Sequence, residues 1–282
     1  MPVLRRPARP GRAHLSARQR IPALISAEDL AAGDLHVVGQ ISGASNTTVL
    51  ARLGDPDEGP YAVYKPISGE RPLWDFPDGS LAARERAAYL VSEAGGWHVV
   101  PPTVLRDGPL GVGMAQAWVG EPGAAESVVH VLRPGSDARG LLPVLRAEDE
   151  RGRPLLIAHE DRPDVRSLAV LDVLLNNADR KGAHAFRHDG RMYAVDHGVT
   201  FHVEHKLRTV LWGWEGEPLT DGDAERVDAL RIALDRTLAD ELAGLLTARE
   251  IEALHARVSG LLRRPRLPRA GGGWPAIPWP PL

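Results

Sequence analysis

The chain has 282 residues, of which 43% are hydrophobic and 25% are charged, with a formal net charge of −3 and no cysteine. The lack of cysteine excludes a disulfide-stabilised fold and any cysteine-based metal site or nucleophile, and no apolar run has the length of a membrane-spanning helix. The slightly negative charge gives no general attraction to nucleic acid or anionic lipid, so we expect a soluble, cytoplasmic protein with one large or two moderate domains.

Residues 1–20 contain six arginines and several prolines but no acidic residue. This composition favours a disordered basic tail, and an arm that binds nucleic acid or an anionic surface is the alternative. A regular pattern begins at Ile21, and we expect residues 21–119 to form the first folded unit. Because the tail has no periodicity with which to bury a face, its removal should change stability little.

Three short strands are predicted at the start of the first unit, over residues 35–40, 47–53 and 61–64. The turn between the first two strands has small and polar residues, and its backbone N–H groups would be free to face phosphates. The candidate residues in this turn are Ser42, Gly43, Ser45 and Asn46. The third strand delivers Lys65 at its end, where an ammonium group could contact a nucleotide; an exposed strand-end lysine is the alternative.

A helix is predicted over residues 80–92, with Glu85 in its middle on a partly apolar face. A lysine after the third strand and a glutamate in the next helix form the ion pair that positions the nucleotide phosphates in kinases. We therefore expect Lys65 to pair with Glu85. The alternative is that Glu85 pairs with the arginines beside it along its own helix.

Two further strands, over residues 99–106 and 111–119, are predicted to complete the first unit. We expect the second of these strands to line an adenine slot, with Gln116 as a nucleotide-binding residue. The sequence Gly-Glu-Pro-Gly at 120–123 then breaks the pattern and indicates a hinge. The second unit is predicted over residues 120–262.

The most informative stretch of the second unit follows an apolar helix that ends at Asn176-Asn177. A polar loop contains Asp179-Arg180 and, five positions after Asp179, His184. A hairpin then leads to Asp196 in the tripeptide Asp-His-Gly. This order is typical of phosphoryl-transfer sites, in which one aspartate orients the nucleophile and a second aspartate, after a hairpin, binds metal.

Two amphipathic helices are predicted near the end of the second unit, over residues 228–245 and 247–262. The second of them opens with a capping box, Thr247 to Glu250. Residues 263–282 are rich in proline, arginine and glycine, and we expect a disordered or draped tail that contributes little to stability.

The motifs, taken together, resemble those of the phosphatidylinositol 3- and 4-kinase-related family, in which a D-R-H-x-x-N motif precedes a D-x-G motif. The resemblance covers about residues 35–215 and is carried by Asp179-Arg180 and Asp196-His197-Gly198, with Lys65 and Glu85 upstream. His184 departs from the pattern, because the family has asparagine at that position. The resemblance points to a bacterial branch of this atypical protein-kinase-like family.

The fold that this resemblance implies is α+β and has two lobes. The small, mainly antiparallel β lobe with one helix would bind ATP, and the larger, mainly helical lobe would hold the catalytic residues. Lys65 would hold the α- and β-phosphates, and Glu85 would hold Lys65.

The same resemblance implies roles for the residues of the second lobe. Asp179 would be the base or would orient the acceptor, and Arg180 would stabilise the loop or the developing charge. Asp196 would bind the metal, Mg²⁺ or Mn²⁺, and His184 would join it or turn away. A nitrogen ligand at this position would favour Mn²⁺ over Mg²⁺.

The implied activity is transfer of the γ-phosphate of ATP to a hydroxyl group. The acceptor could be a lipid head group, a soluble polyol or a protein, and a family resemblance does not choose among them. The competing hypothesis is an ATP-binding pseudokinase or regulatory module without turnover, because His184 replaces an expected metal ligand. Nucleotidyl transfer, with ATP bound in a flipped orientation, is the third hypothesis.

Overall fold

The computed structural model describes residues 24–41, 43, 45–121, 125–271 and 275–282. The predicted basic tail, residues 1–20, and the candidate residue Ser42 lie outside these ranges. The described chain combines helices with three antiparallel sheets, which confirms the α+β class. None of the described helices is both long and apolar enough to cross a bilayer.

The first sheet consists of five antiparallel strands: β1 (Leu35–Gln40), β2 (Val49–Leu53), β3 (Tyr61–Pro66), β4 (Thr103–Gly108) and β5 (Gly111–Ala117). They lie in the order β1-β2-β3-β5-β4. Ala62 and Tyr64 of β3 are buried on the face that packs against a short helix, α1 (Ala27–Ala32). Because side chains alternate between the two faces of a strand, Lys65 projects from the opposite face.

Helix α2 (Leu81–Ala94) contacts β4 and β5. Its buried residues Ala87, Ala88 and Val91 join the hydrophobic core of the rest of the protein, not the core beneath the first sheet. The helix is followed by Gly95 and Gly96, and Gly96 has a φ of 74°, a conformation that glycine adopts without steric cost. Helix α2 is therefore shared between the sheet and the larger part of the molecule.

Strands occupy much of residues 126–194, in two three-stranded antiparallel sheets. One sheet contains β6 (Glu126–Ser127), β10 (Ala185–His188) and β11 (Arg191–Ala194), and the other contains β7 (Val129–Leu132), β8 (Leu141–Glu148) and β9 (Pro154–Glu160). The sequence predicted the hairpin of β10 and β11 but neither sheet. The expectation of a mainly helical second unit therefore holds only outside these strands.

The remaining helices are α3 (Pro163–Leu175), α4 (Asp221–Ala233), α5 (Ala239–Ala243) and α6 (Ala248–Arg263). Helix α3 is central: it is apolar around most of its circumference, as a helix enclosed on all sides must be. A π-helical turn, Leu234–Leu238, joins α4 to α5, so the single helix predicted over 228–245 is interrupted. The predicted capping box from Thr247 to Glu250 is present at the start of α6.

The described part of the C-terminal segment packs against the second unit. The carbonyl of Pro281 accepts a hydrogen bond of 2.9 Å from the N–H of Gly182. The carbonyl of Ala276 accepts from Nε1 of Trp212 at 2.8 Å. These bonds count against the expectation that residues 263–282 contribute little to stability.

Candidate active site

Lys65 lies between two carboxylates that come from distant parts of the chain. Its Nζ is 2.7 Å from Oε1 of Glu85 on α2 and 2.9 Å from Oδ1 of Asp196 after β11. Desolvation alone would lower the pKa of Lys65, but the two carboxylates outweigh this and raise it. The ammonium group is therefore charged at neutral pH and joins the first sheet to the second unit.

The second oxygen of Glu85 has its own partner. Oε2 accepts a hydrogen bond of 2.8 Å from the backbone N–H of His197, the residue that follows Asp196. Glu85 thus contacts both the lysine and the Asp-His-Gly tripeptide, and its side chain is almost fully buried. The arginines on either side of Glu85 bond elsewhere: Arg84 to Glu250 and Arg86 to the carbonyl of Thr103.

Asp196 stands at the end of the hairpin in a left-handed backbone conformation, with a φ of 61°. Its side chain is 47% exposed, so it lies in the open part of the site. Partial removal from water raises the pKa of this carboxyl, but Lys65 and His184 outweigh that effect and hold the pKa well below its ordinary value. Asp196 is an anion at neutral pH.

The loop that contains Asp179 is fixed by the two asparagines that end α3. Asn176 has a φ of 52°, which stops the helix, and its amide donates to the carbonyls of His202 and Glu204 at 2.9 and 2.6 Å. Oδ1 of Asn177 accepts from the backbone N–H of Asp179 at 3.0 Å. The Asp179 carboxylate is therefore presented by a loop whose backbone is held on both sides.

Arg180 is buried beneath this loop, with 0% of its side chain exposed, and pairs with the equally buried Asp172 of α3. The guanidinium also donates to the carbonyls of His184 and Val195 at 3.0 and 2.9 Å, and it lies 2.7 Å from Nε2 of His197. All of its nitrogens have partners within the protein. Arg180 therefore joins the Asp179 loop to the Asp196 segment and has no donor left for a phosphate. Of the two roles expected for it, stabilising the loop fits this position and stabilising the developing charge does not.

Lys181 is a residue of the site to which only the composition of the sequence points. Its Nζ is 3.1 Å from Oδ2 of Asp179, and both side chains are partly exposed. The available signal was composition: the chain has only three lysines, Lys65, Lys181 and Lys206. A lysine kept two residues after a candidate catalytic aspartate, in a chain that otherwise uses arginine, indicates a need for a compact charge.

His184 faces Asp196 across the open part of the site. Its Nδ1 is 3.1 Å from the carbonyl of Asp179, and its Nε2 is 3.2 Å from Oδ2 of Asp196. A carbonyl can only accept, so Nδ1 carries the proton. Burial lowers the pKa of His184, an effect that the nearby Asp196 carboxylate opposes, and Nε2 faces an oxygen of that carboxylate. Such a pair of donors suits a cation.

The other candidate residues lie away from these contacts or are already bonded. Gly43, with a φ of 84°, and Ser45 are exposed in the turn between β1 and β2. Oδ1 of Asn46 accepts from the backbone N–H of Arg71 at 2.8 Å, so this side chain anchors the turn. Gln116 is 3% exposed, and its Nε2 donates to Oγ1 of Thr103 on β4 at 2.8 Å. The Gln116 amide is therefore turned into the protein.

Comparison with known proteins gives one relative of high similarity. No family model matches the chain. Among solved structures, the Helicobacter pylori proinflammatory kinase CtkA aligns with 84% of this chain and 94% of its own at 11% identity, and the TM-score of 0.44 is too low to establish a shared fold. Protein Rv2133c of Mycobacterium tuberculosis is 49% identical over 260 residues, which cover 89% of this chain and 93% of that protein. The chain belongs to the same family as Rv2133c.

Proposed function

We propose that the protein is an ATP-dependent phosphotransferase of the protein-kinase-like type, which transfers the γ-phosphoryl group to a hydroxyl acceptor. The observation that carries the proposal is the position of the Lys65 ammonium, 2.7 Å from Glu85 and 2.9 Å from Asp196. Lys65 lies in a strand and Glu85 in the next helix. Asp196 follows Lys65 by 131 residues. The same elements, in the same order, hold the phosphates and the metal in kinases.

Lys65 would bind the phosphates of the nucleotide, and Glu85 would hold the lysine in position. The two oxygens of Glu85 have different tasks, since one contacts Lys65 and the other accepts the N–H of His197. The distance between the phosphate-binding lysine and the metal-binding aspartate is thereby fixed by one carboxylate. Preorganisation of this kind lowers the cost of reaching the transition state.

The donor set at Asp196 and His184 fits a divalent cation. One carboxylate and one imidazole nitrogen come from the protein, and the other positions are left to phosphate oxygens and water, as is usual for metals that bind with a nucleotide. Among the described residues, no group of three or more His, Cys, Asp or Glu side chains is arranged to hold a metal ion. When bound, the metal would neutralise phosphate charge.

Asp179 would accept the proton of the acceptor hydroxyl. As the acceptor oxygen bonds to the γ-phosphorus, the bond from that phosphorus to the bridging oxygen breaks, and ADP leaves. Lys181, 3.1 Å from the Asp179 carboxylate, would offset negative charge that develops on the transferred group. The motifs of this loop resemble those of the phosphatidylinositol 3- and 4-kinase-related family, and we extend the proposal to that branch.

The test is incubation of the protein with ATP labelled at either the γ- or the α-phosphate, with Mg²⁺ and with Mn²⁺. Acceptors are supplied as phosphatidylinositol vesicles, a mixture of soluble polyols and a mixture of Ser-, Thr- and Tyr-containing peptides. We expect γ-label on an acceptor or on the protein itself, and loss of that label in Asp179→Asn.

The other outcomes identify the competing hypotheses. Transfer of α-label with release of pyrophosphate would mean nucleotidyl transfer. Binding of ATP without transfer of either label would mean a pseudokinase. Absence of ATP binding would overturn the whole proposal.

A further inference from the structure

Arg84, the neighbour of Glu85 on α2, is one of the largest fully buried side chains of the described protein, with 1% exposed. Its Nη2 pairs with Oε1 of Glu250, its Nη1 donates to the carbonyl of Thr200 at 2.7 Å, and its Nε lies 3.2 Å from Oγ of Ser80. Every nitrogen of the guanidinium has a partner. Such an arginine is fixed in position, because moving it would expose or unpair a buried charge.

Glu250 is itself held firmly at the start of α6. Its Oε2 accepts from the backbone N–H and from the hydroxyl of Thr247, each at 2.9 Å, as the second half of the capping box. The apolar face of α6 places Leu254 and Val258 in the main core. The partner of Arg84 is therefore a rigid part of the second unit.

Two consecutive residues of α2 thus contact the segment that follows Asp196. Glu85 accepts from the N–H of His197, and Arg84 donates to the carbonyl of Thr200. Arg86, one position further, bonds instead to the carbonyl of Thr103 in the first sheet at 2.5 Å. The helix is attached to the second unit at Arg84 and to the sheet at Arg86.

We infer that Arg84 and Glu250 are positioning residues, a clamp that holds α2 so that the Glu85 carboxylate stays within reach of both Lys65 and His197. The inference rests on the proposed function, since it assigns these residues a part in nucleotide binding. The clamp is made entirely of side chains of the chain itself.

The test uses a paired replacement, Arg84→Met with Glu250→Gln. Removing both charges avoids an unpaired buried ion, which is the usual cause of unfolding in such variants, and glutamine can still complete a capping box. We expect the melting temperature to stay close to that of the native protein while the affinity for ATP, measured by calorimetry, falls about tenfold. The control is a paired replacement of an exposed ion pair on α4, Arg231→Met with Asp228→Asn, which should retain the native affinity.

A double-mutant cycle with Glu85→Gln shows whether the clamp acts through Glu85. If it does, the paired replacement adds little to the loss already caused by Glu85→Gln, because residues that act as a unit are not additive. Native affinity in the paired variant, or losses that simply add, would overturn the inference while leaving the proposed function in place. Equal ATP affinity in the native protein and in Glu85→Gln would instead contradict the proposed function.

If the paired variant does not fold, Arg84→Lys serves in its place. Lysine keeps a charge near Glu250 but cannot also reach the carbonyl of Thr200 with the geometry of a guanidinium. The clamp would again be supported if Arg84→Lys reduces the affinity for ATP in the native protein but causes no further reduction in Glu85→Gln. An unchanged affinity in folded Arg84→Lys would exclude it.

Discussion

Two ionic clusters lie on either side of the Asp179 loop, and they differ in their access to solvent. Beneath the loop, Arg180 and Asp172 are both 0% exposed, and every nitrogen of the guanidinium is bonded within the protein. Above it, the side chains of Lys65 and Asp196 are 21% and 47% exposed. The guanidinium of the closed cluster has no nitrogen left to bind a ligand, whereas the charged side chains of the open cluster are accessible to solvent.

The difference separates residues that maintain the site from residues that could act on a substrate. A buried network of ion pairs and hydrogen bonds favours a single arrangement of the chain, even though Nδ1 of His197, beside Arg180, has no hydrogen-bond partner among the described residues. The charges of the open cluster instead contact one another where phosphates and a cation would bind. Substitutions in the closed cluster should therefore affect folding, and substitutions in the open region should affect activity in a protein that still folds.

The largest effect is expected for Asp172→Asn. The change leaves the charge of Arg180 buried without its counter-ion, and losing one partner of a buried pair costs about 3–5 kcal/mol. Urea unfolding followed by circular dichroism measures the loss of unfolding free energy. Asp137→Asn is the control, because Asp137 and Arg139 form a pair whose side chains are 60% and 91% exposed. An equal loss of unfolding free energy in this control would mean that burial does not distinguish the two pairs.

A loss of activity without a loss of stability is expected for Asp179→Asn. Asparagine has nearly the same shape but cannot accept the proton, and a positioned base contributes about 10²- to 10⁴-fold to the rate. Phosphotransfer rate, ATP affinity and melting temperature are measured together. Asp189→Asn, in the exposed turn of the hairpin, is the control and should be active; full activity in Asp179→Asn would remove Asp179 as the base.

The smallest effect is expected for His184→Asn, which replaces the imidazole nitrogen by an amide oxygen. Oxygen ligands suit Mg²⁺, and nitrogen ligands suit transition metals such as Mn²⁺. The ratio of activity with Mg²⁺ to activity with Mn²⁺ should rise, by less than about tenfold, because Asp196 is retained. An unchanged ratio would show that His184 does not bind the metal, and the open cluster would then have a single metal ligand from the protein.

The sequence was informative wherever local pattern determines structure. Short runs of strand-forming residues between turns predicted the five strands of the first sheet. The spacing of Thr247 and Glu250 predicted the capping box that α6 contains. The Lys65–Glu85 pair followed from a strand end and the next helix. Each of these features depends on residues that are close along the chain or on elements that follow one another.

Contacts between distant residues were not predicted. Arg84 and Glu250 are 166 residues apart, and nothing in either local sequence indicates the other. Arg180 was expected to stabilise either the loop or the developing charge. Which of the two roles it can take depends on Asp172, on the buried helix α3, which turns the side chain to the interior. The small sheets of residues 126–194 also depend on the pairing of β6 with β10 and of β7 with β9, strands that are distant along the chain and whose pairing periodicity does not indicate.

The sharing of α2 between the two parts of the molecule has a consequence for how the chain folds. Ala87, Ala88 and Val91 are buried in the main core, although α2 precedes β4 and β5 in sequence. Residues 24–119 alone would expose these side chains and leave the charge of Arg84 without Glu250. A segment that buries one face of a helix against the rest of the chain loses that burial when it is separated, although the first sheet also has a core of its own. The two predicted units therefore share part of their hydrophobic core, and the free energy of folding is shared between them.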